Sequence, residues 1–214
     1  MSDIGPSASG RAQESPLRVV LATASPEKTA EIADIVSAVS GGRVELLARP
    51  EGAGEVEETG ETLEENARLK ARALVELTGI AALADDTGLE VDALAGAPGV
   101  RSARFAGEGA TYEENVAKLL DELEKAGAVD ENDRRARFRT IVVVCFPDGG
   151  EIMAEGVVEG SIVPERRGSG GFGYDPVFVP EGYERTFAEM EPQEKHALSH
   201  RGRALSALAL ELPA

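Results

Sequence analysis

Arg18-Val-Val-Leu-Ala-Thr-Ala-Ser-Pro-Glu-Lys28 is the stretch that decides the architecture. Arg18 to Thr23 is a short, mainly apolar run and reads as a strand. Ser25 then offers an N-cap hydroxyl, and Pro26 carries the fixed φ that suits the first helical position. Ile32, Ile35, Val36 and Val39 follow at spacings of 3, 4 and 7, which line one helix face. Gly41-Gly42 ends that helix, and Val44 to Leu47 reads as a second strand. A strand feeding a helix feeding a strand opens an α/β sheet.

Outward from there, residues 49–61 are acidic and glycine-rich without an apolar period, so they read as a loop. Thr62-Leu-Glu-Glu65 has capping-box spacing and predicts a helix through Leu77, stopped by Gly79. Ala81 to Ala84 is a small apolar strand predicted to end at Asp85-Asp86-Thr87-Gly88. Leu89 to Leu94 reads as extended, and Gly96-Ala-Pro-Gly99 as a turn. Thr111 to Glu124 is predicted helical, with Tyr112, Val116, Leu119, Leu120 and Leu123 on its apolar face. Ala136–Phe146 and Ile152–Gly160 are strands joined by the hairpin signal Pro147-Asp-Gly-Gly150. Residues 164–176 form a glycine-rich loop, and a last helix begins near Ser199 with Leu205 and Leu208 as core contacts. Alternating strands and helices followed by a hairpin predict an α/β fold with a mixed central sheet and flanking helices.

The chain has 214 residues, which predicts one domain over residues 18–214 behind a disordered tail at residues 1–17. The tail lacks an apolar core of the secretory type, and no apolar run approaches a membrane span. The expectation is a cytoplasmic protein with no membrane partner. Its formal charge is −17, from 39 acidic and 22 basic residues. Such a field repels polyanions and argues against a nucleic acid polymer as partner. A few cations in a cleft, helped by a divalent ion, can still hold a small anion. The single cysteine, Cys145, lies in an apolar run and reads as a buried strand thiol.

Five groups of residues carry chemistry. In the first, Thr23-Ala24-Ser25-Pro26-Glu27-Lys28 is a strand-to-helix turn, whose free N–H groups, hydroxyls and lysine suit phosphate. It lacks the glycines of a Walker A loop, and its bland alternative is a capped helix with a solvated lysine. Asp85-Asp86-Thr87-Gly88 places two carboxylates beside a hydroxyl, suited to a hard cation such as Mg²⁺; the alternative is an acidic turn. Glu55, Glu57, Glu58 and Glu61 read as a solvated acidic run from which one glutamate can complete a metal site. The fourth group, Gly168-Ser-Gly-Gly-Phe-Gly-Tyr-Asp-Pro176, matches G-x-G-x-x-G by spacing but does not open a helix, so the dinucleotide reading is rejected. What remains is a loop gathering Phe172, Tyr174 and Asp175, where an aromatic ring can stack on a base. The last group holds both histidines, His196 and His200, with Lys195 and Arg201. Ser199 reads as a cap between the histidines, so a shared metal is rejected in favour of an anion or a base carbonyl.

Taken in order, these stretches resemble the inosine triphosphate pyrophosphatase family, which clears non-standard purine nucleotides. The resemblance covers residues 18 to about 210. It rests on Thr62-Leu-Glu-Glu-Asn-Ala-Arg-Leu-Lys-Ala-Arg72, Ala84-Asp-Asp-Thr-Gly-Leu89, Gly96-Ala-Pro-Gly-Val-Arg-Ser-Ala-Arg104, Gly171-Phe-Gly-Tyr-Asp-Pro176 and Ser199-His-Arg-Gly-Arg-Ala-Leu205. The resemblance implies two lobes around a substrate cleft, a homodimer, and Mg²⁺-dependent hydrolysis of ITP, dITP or XTP to monophosphate and pyrophosphate. It implies Asp86 as catalytic proton acceptor and metal ligand, with Glu58 as the second ligand. It also implies substrate contacts from Thr23, Ala24, Ser25, Pro26, Glu27 and Lys28, from Lys70 and Thr87, and from Phe172, Gly173, Tyr174, Asp175, Lys195, His200 and Arg201. Where the family's first loop usually reads Thr-Gly-Asn or Thr-Asn-Asn, this chain has Thr23-Ala24-Ser25. The competing readings are a pyrophosphatase for pyrimidine or modified nucleotides and a nucleotide-binding sensor without catalysis.

Overall fold

The computed structural model describes residues 15–212. Most of the expected tail, residues 1–14, lies outside that range, and Leu17 belongs to the first strand rather than to the tail. The strands are β1 (Leu17–Leu21), β2 (Val44–Leu47), β3 (Ala81–Val91), β4 (Pro98–Gly99), β5 (Arg135–Cys145), β6 (Glu151–Ile162) and β7 (Phe178–Pro180). The helices are α1 (Pro26–Val39), α2 (Leu63–Thr78), α3 (Tyr112–Lys125), α4 (Pro192–Leu198) and α5 (His200–Glu211). The sheet runs β2-β1-β3-β5-β6-β7, with the short β4 also paired to β3. β1 is parallel to β2 and β3, and the remaining pairings are antiparallel, so the sheet is mixed as expected.

The boundaries follow from local chemistry. Ser25 caps α1 by accepting from the Lys28 N–H, and Pro26 occupies its first turn. Thr62 caps α2 in the same way, and Gly79 ends it in the left-handed conformation. The predicted capping box there is only half formed: Glu65 accepts from the Glu61 N–H, not from Thr62. A full capping box does form at Thr111 and Glu114. α5 starts behind Ser199, which accepts from the Gly202 N–H. The sequence reading missed the short helix α4 that precedes it.

Three apolar clusters cover the sheet. One face of the β1 half packs against α1 and α5 through Val19, Leu21, Ile32, Ile35, Leu205 and Leu208. The opposite face packs against α2 through Ala67, Ala71, Leu74, Val143 and Cys145, which is buried as expected. The far half joins α3 to the β7 region through Leu89, Leu119, Leu123, Phe138, Phe178 and Phe187. Each fully buried Leu, Ile or Phe contributes roughly 1.5–3 kcal/mol. α5 lies so close to β6 that a Cβ on Gly156 would sit 2.0 Å from the His200 carbonyl oxygen. That approach lays the first turn of α5 against the sheet.

One prediction fails in a way that matters. The strand expected to stop at Ala84 continues to Val91, so Asp85 and Asp86 lie within it and not at its end. The reason is β5, which pairs with β3 without a break from Ala82 to Val91 and supplies a backbone ladder that outweighs the poor strand preference of Asp and Gly. On its other edge β3 meets β1 at residues 81–83 and β4 at residues 89–90. Between these pairings, residues 84–88 have no strand partner on that edge among the described residues. Further on, Asp92–Leu94, expected to be extended, form a tight 3₁₀ turn.

Candidate functional site

The break along the β3 edge opens into a cleft of about 780 Å³ between the β1 half and the half built on α3 and residues 163–180. Thr23, Ala24, Ser25, Lys28, Glu58, Lys70, Thr87, Phe172, Gly173, Tyr174, Asp175, Lys195, His200 and Arg201 all line it. Of the expected site residues, Asp86 lies one contact behind that lining. Pro26 and Glu27 do not line it either: both are exposed on the outer side of the first turn of α1, where Pro26 shapes the helix start.

Successive strand residues point to opposite faces of a sheet, so Asp85 and Asp86 answer to different helices. Asp86 faces α2, where its Oδ1 accepts from Lys70 Nζ at 2.8 Å and its Oδ2 lies 3.5 Å from Asn66 Nδ2. The same Lys70 Nζ donates to Glu58 Oε1 at 3.1 Å, and Arg104 Nη1 donates to Glu58 Oε2 at 3.1 Å. Burial would raise the Glu58 pKa, but Lys70, Lys28 and Arg104 outweigh it and hold the carboxyl below its ordinary value. For Asp86 the balance reverses: burial, with repulsion from Glu58, exceeds the pull of Lys70 and Lys28 and pushes it up. Burial opposes the charge on Lys70, yet Asp86, Asp85 and Glu58 together raise its pKa, so the ammonium is retained.

Asp85 faces α1 and α5. Its Oδ2 takes Arg201 Nε at 3.2 Å, Arg201 Nη2 at 3.0 Å and Lys28 Nζ at 3.3 Å. Despite full burial, Lys28, Arg201 and Lys70 hold it well below the usual carboxylate range. Arg201 Nη1 donates to Glu31, a buried residue of α1, and Lys195 Nζ lies 3.5 Å from Glu31 Oε1. Two buried oxygens, Glu31 Oε1 and Asp85 Oδ1, lack a hydrogen-bond partner among the described residues.

The other end of the cleft is aromatic. Lys195 Nζ donates to Asp175 Oδ2 at 2.7 Å, and that oxygen also accepts the Phe172 N–H at 2.8 Å. Burial nevertheless exceeds the pull of Lys195 and raises the Asp175 pKa. A Cβ on Gly171 would lie 2.1 Å from Asp175 Oδ2, at a φ of +66°, so glycine alone allows this closure. Lys195 Nζ sits 4.9 Å from the Phe172 ring centre and the Arg201 guanidinium 5.6 Å from it, which fixes the ring against two cations. Tyr112 approaches the same ring at 6.1 Å. His200 stacks on Phe138 at 4.6 Å, and its Nδ1 meets Thr140 Oγ1 at 2.6 Å. Tyr174 is anchored by donation to the Ser102 carbonyl at 2.9 Å.

Several of these residues escaped the sequence reading. Tyr112, on the apolar face of its helix by spacing, is half-exposed and lines the cleft. Arg104 closes a quoted block of sequence, but nothing in the block announces a partner 46 residues away. Glu31 is a lone acid on an apolar helix face, a local inconsistency that does mark it, and its partner is 170 residues distant. His200 and Arg201 lie in the first turn of α5, behind the Ser199 cap as expected, whereas Lys195 lies on α4, which the sequence does not announce.

The donor set suits one hard cation. Glu58 and Asp86 already converge on a common point, now held by the Lys70 ammonium, and Mg²⁺ typically binds one or two carboxylates and completes its shell with phosphate oxygens and water. Among the described residues no three His, Cys, Asp or Glu side chains gather into a metal cluster.

Residues 19–210 match the model of the Ham1 family. The chain is 48% identical over 189 residues to a dITP/XTP pyrophosphatase of Desulforamulus reducens, covering 88% of this chain and 92% of that one. It is 45% identical over 196 residues to a dITP/XTP pyrophosphatase of Caulobacter vibrioides, covering 91% and 97%. Among solved structures it is similar to a HAM1 protein from Coxiella burnetii, with 42% identity, a TM-score of 0.80 and coverage of 91% and 97%. It is also similar to a nucleoside-triphosphatase / dITP/XTP pyrophosphatase from Mycobacterium abscessus, with 43% identity, a TM-score of 0.70 and coverage of 92% and 98%.

Proposed function

Since this chain belongs to the Ham1 family, we propose that it hydrolyses non-standard purine nucleoside triphosphates, dITP, ITP and XTP, to the monophosphate and pyrophosphate. The observation that carries this reading is one cleft with two unlike ends: cations and a helix N-terminus at one, aromatic rings at the other. A triphosphate suits the first end and a base the second. Identity of 48% and 45% to enzymes of that activity supports the same substrate class.

At the phosphate end, the start of α1 brings the Thr23 and Ser25 hydroxyls and the Lys28 ammonium into the cleft lining, and the positive end of the helix dipole makes this a favourable place for an anion. Lys70 offers a second cation, its side chain only 12% exposed. Glu58 and Asp86 would hold Mg²⁺, which when bound supplies charge neutralisation and alignment of the phosphates. Asp86 accepts the proton of a water whose oxygen attacks the α-phosphorus, and the bond to the bridging oxygen breaks as pyrophosphate leaves. Lys28 and Lys70 balance charge on the phosphate oxygens by position and electrostatics. Arg201 braces both Asp85 and Thr87, which keeps the β3 edge in shape. At the base end, Phe172 and Tyr174 flank the site, while Lys195 and Asp175 hold the loop.

No helix of the described residues is long and apolar enough to cross a membrane. A cytoplasmic homodimer that does not bind nucleic acid polymers completes the proposal.

The test is a turnover series with ITP, XTP, GTP, ATP and dTTP in Mg²⁺. ITP and XTP should lead, and ITP should give IMP and pyrophosphate. IDP and phosphate would mean that a different bond is cut; dTTP above ITP would favour a pyrimidine enzyme; tight binding without turnover would mean a sensor. Lys70→Ala should raise the KM for ITP about 10- to 100-fold, the equivalent of one charge-assisted hydrogen bond worth about 1.5–3 kcal/mol. Unchanged steady-state constants would remove Lys70 from the site.

A further inference from the structure

We propose that Thr140 is a positioning residue that fixes His200 as its Nε2–H tautomer, giving the cleft a ring N–H donor that pairs with an oxo-substituted purine and not with an amino-substituted one. The inference rests on the reading of the cleft as a purine triphosphate site, and it adds a residue from β5 that does not line the cleft.

The argument begins with the charge of His200. The ring is 3% exposed. Burial pushes its pKa far below the usual value, and the cations Arg201 and Lys195 push the same way. The imidazole is therefore neutral and carries one proton, so one ring nitrogen donates and the other accepts. Which is which depends on the partner of Nδ1. Thr140, fully buried, places Oγ1 2.6 Å from Nδ1 and 2.7 Å from Thr87 Oγ1.

A single hydroxyl has one hydrogen to give, so this three-atom chain runs in one of two directions. If it runs from His200 toward Asp85, Nδ1–H donates to Thr140, Thr140 donates to Thr87, and the Thr87 hydrogen must go to Asp85 Oδ2 at 3.4 Å. That last contact is long, and the oxygen already has two donors, Arg201 Nε at 3.2 Å and Arg201 Nη2 at 3.0 Å, with the Lys28 ammonium paired to it at 3.3 Å. A carboxylate oxygen has about two lone-pair sites, so this acceptor is saturated.

In the opposite direction Thr87 Oγ1 accepts from Arg201 Nη2 at 3.2 Å, donates to Thr140 at 2.7 Å, and Thr140 donates to Nδ1 at 2.6 Å. Each hydroxyl hydrogen then lies in a short contact, and the only remaining proton of the ring is on Nε2. The saturated Asp85 oxygen sets the direction, because it leaves Thr140 as the one short acceptor for the Thr87 hydrogen. Nε2 has no protein partner among the described residues. The buried unpartnered side-chain atoms there are Glu31 Oε1 and Asp85 Oδ1 alone, which leaves Nε2 open to the cleft that the ring lines. A hydrogen-bonding site of this kind rejects an analogue that cannot pair with it. An oxo group accepts from Nε2–H, whereas the amino group of adenine brings a second donor.

The experiment reads the tautomer directly. Long-range ¹H–¹⁵N correlation spectra of ¹⁵N-histidine protein, free of nucleotide, distinguish the two neutral forms. Only two histidines are present, so a His196→Gln spectrum assigns His200. The wild-type ring should be the Nε2–H form. Thr140→Val, nearly isosteric and well suited to a strand, should lose that single form and lower the ITP-over-ATP ratio of kcat/KM by roughly 10-fold, about 1.4 kcal/mol of discrimination. Thr140→Ser should restore both.

A wild-type Nδ1–H ring overturns the proposal, as does a Thr140→Val protein with an unchanged ratio or a mixed ring in the serine variant. Wild-type protein that fails to hydrolyse ITP sinks the substrate reading instead, and the nucleotide-free spectra report that failure separately.

Discussion

Asp86→Asn should lower kcat for ITP by at least about 10²- to 10⁴-fold, the range assigned to loss of a positioned general base. The true figure should sit at or above the top of that range, because the same side chain is a proposed metal ligand. The amide keeps the volume and can still accept from Lys70, now 2.8 Å away, but it can neither take a proton from water nor offer an anionic oxygen. Folding should be spared: Asp86 is buried at a cost, its pKa raised by desolvation and by Glu58, so removing its charge relieves a strain. Single-turnover kinetics at saturating ITP and Mg²⁺, with a thermal melt of the same sample, separate the two effects. A kcat within a few-fold of wild type would strip Asp86 of its role, and a collapsed melt would locate its importance in the fold.

Arg201→Met should be the costliest substitution for stability in the molecule's polar interior. The guanidinium is 1% exposed and ties Asp85, Thr87 and Glu31 together across α1, β3 and α5. Methionine fills similar space yet leaves two buried carboxylates facing each other without their shared cation. Removing one partner of a buried pair typically costs about 3–5 kcal/mol. At about 2–4 °C per kcal/mol for a chain of this size, the melting temperature should fall by roughly 10 °C. Adding Asp85→Asn should recover part of the loss, because an amide carries no charge to bury. Calorimetry of wild type, single and double variants tests this. A single variant as stable as wild type would mean that Asp85 and Glu31 are neutral, or hydrated, in the folded state.

Most of the chain's architecture was readable because local signals agreed with tertiary packing. Ser25-Pro26, Thr62 and Ser199 mark helix starts by hydroxyl chemistry that needs no distant partner. The hairpin between β5 and β6 is written in Pro147 to Gly150. Prediction stopped short at Asp85, where local preference said turn and a ten-residue ladder with β5 said strand. The site was legible as blocks of residues, but not as a circuit. Lys70 and Glu58 are 12 apart, near enough to suspect. Thr140 and His200 are 60 apart, and a threonine in an apolar strand gives no sign that it touches a histidine. Tyr112 is misread because periodicity reports which way a helix faces, and not whether that face looks onto core or cavity.

The alternation of Asp85 and Asp86 across the sheet imposes a parity rule on this protein. Deleting one residue between Leu83 and Asp85 would leave the composition of the active region untouched, yet each acid would change sides. The carboxylate that belongs with the guanidinium would be presented to α2, and the one that belongs with Lys70 to α5. Insertions or deletions on this strand should therefore be tolerated, if at all, only in pairs, whereas the loops at residues 49–61 and 127–134 can vary in length freely with respect to this rule.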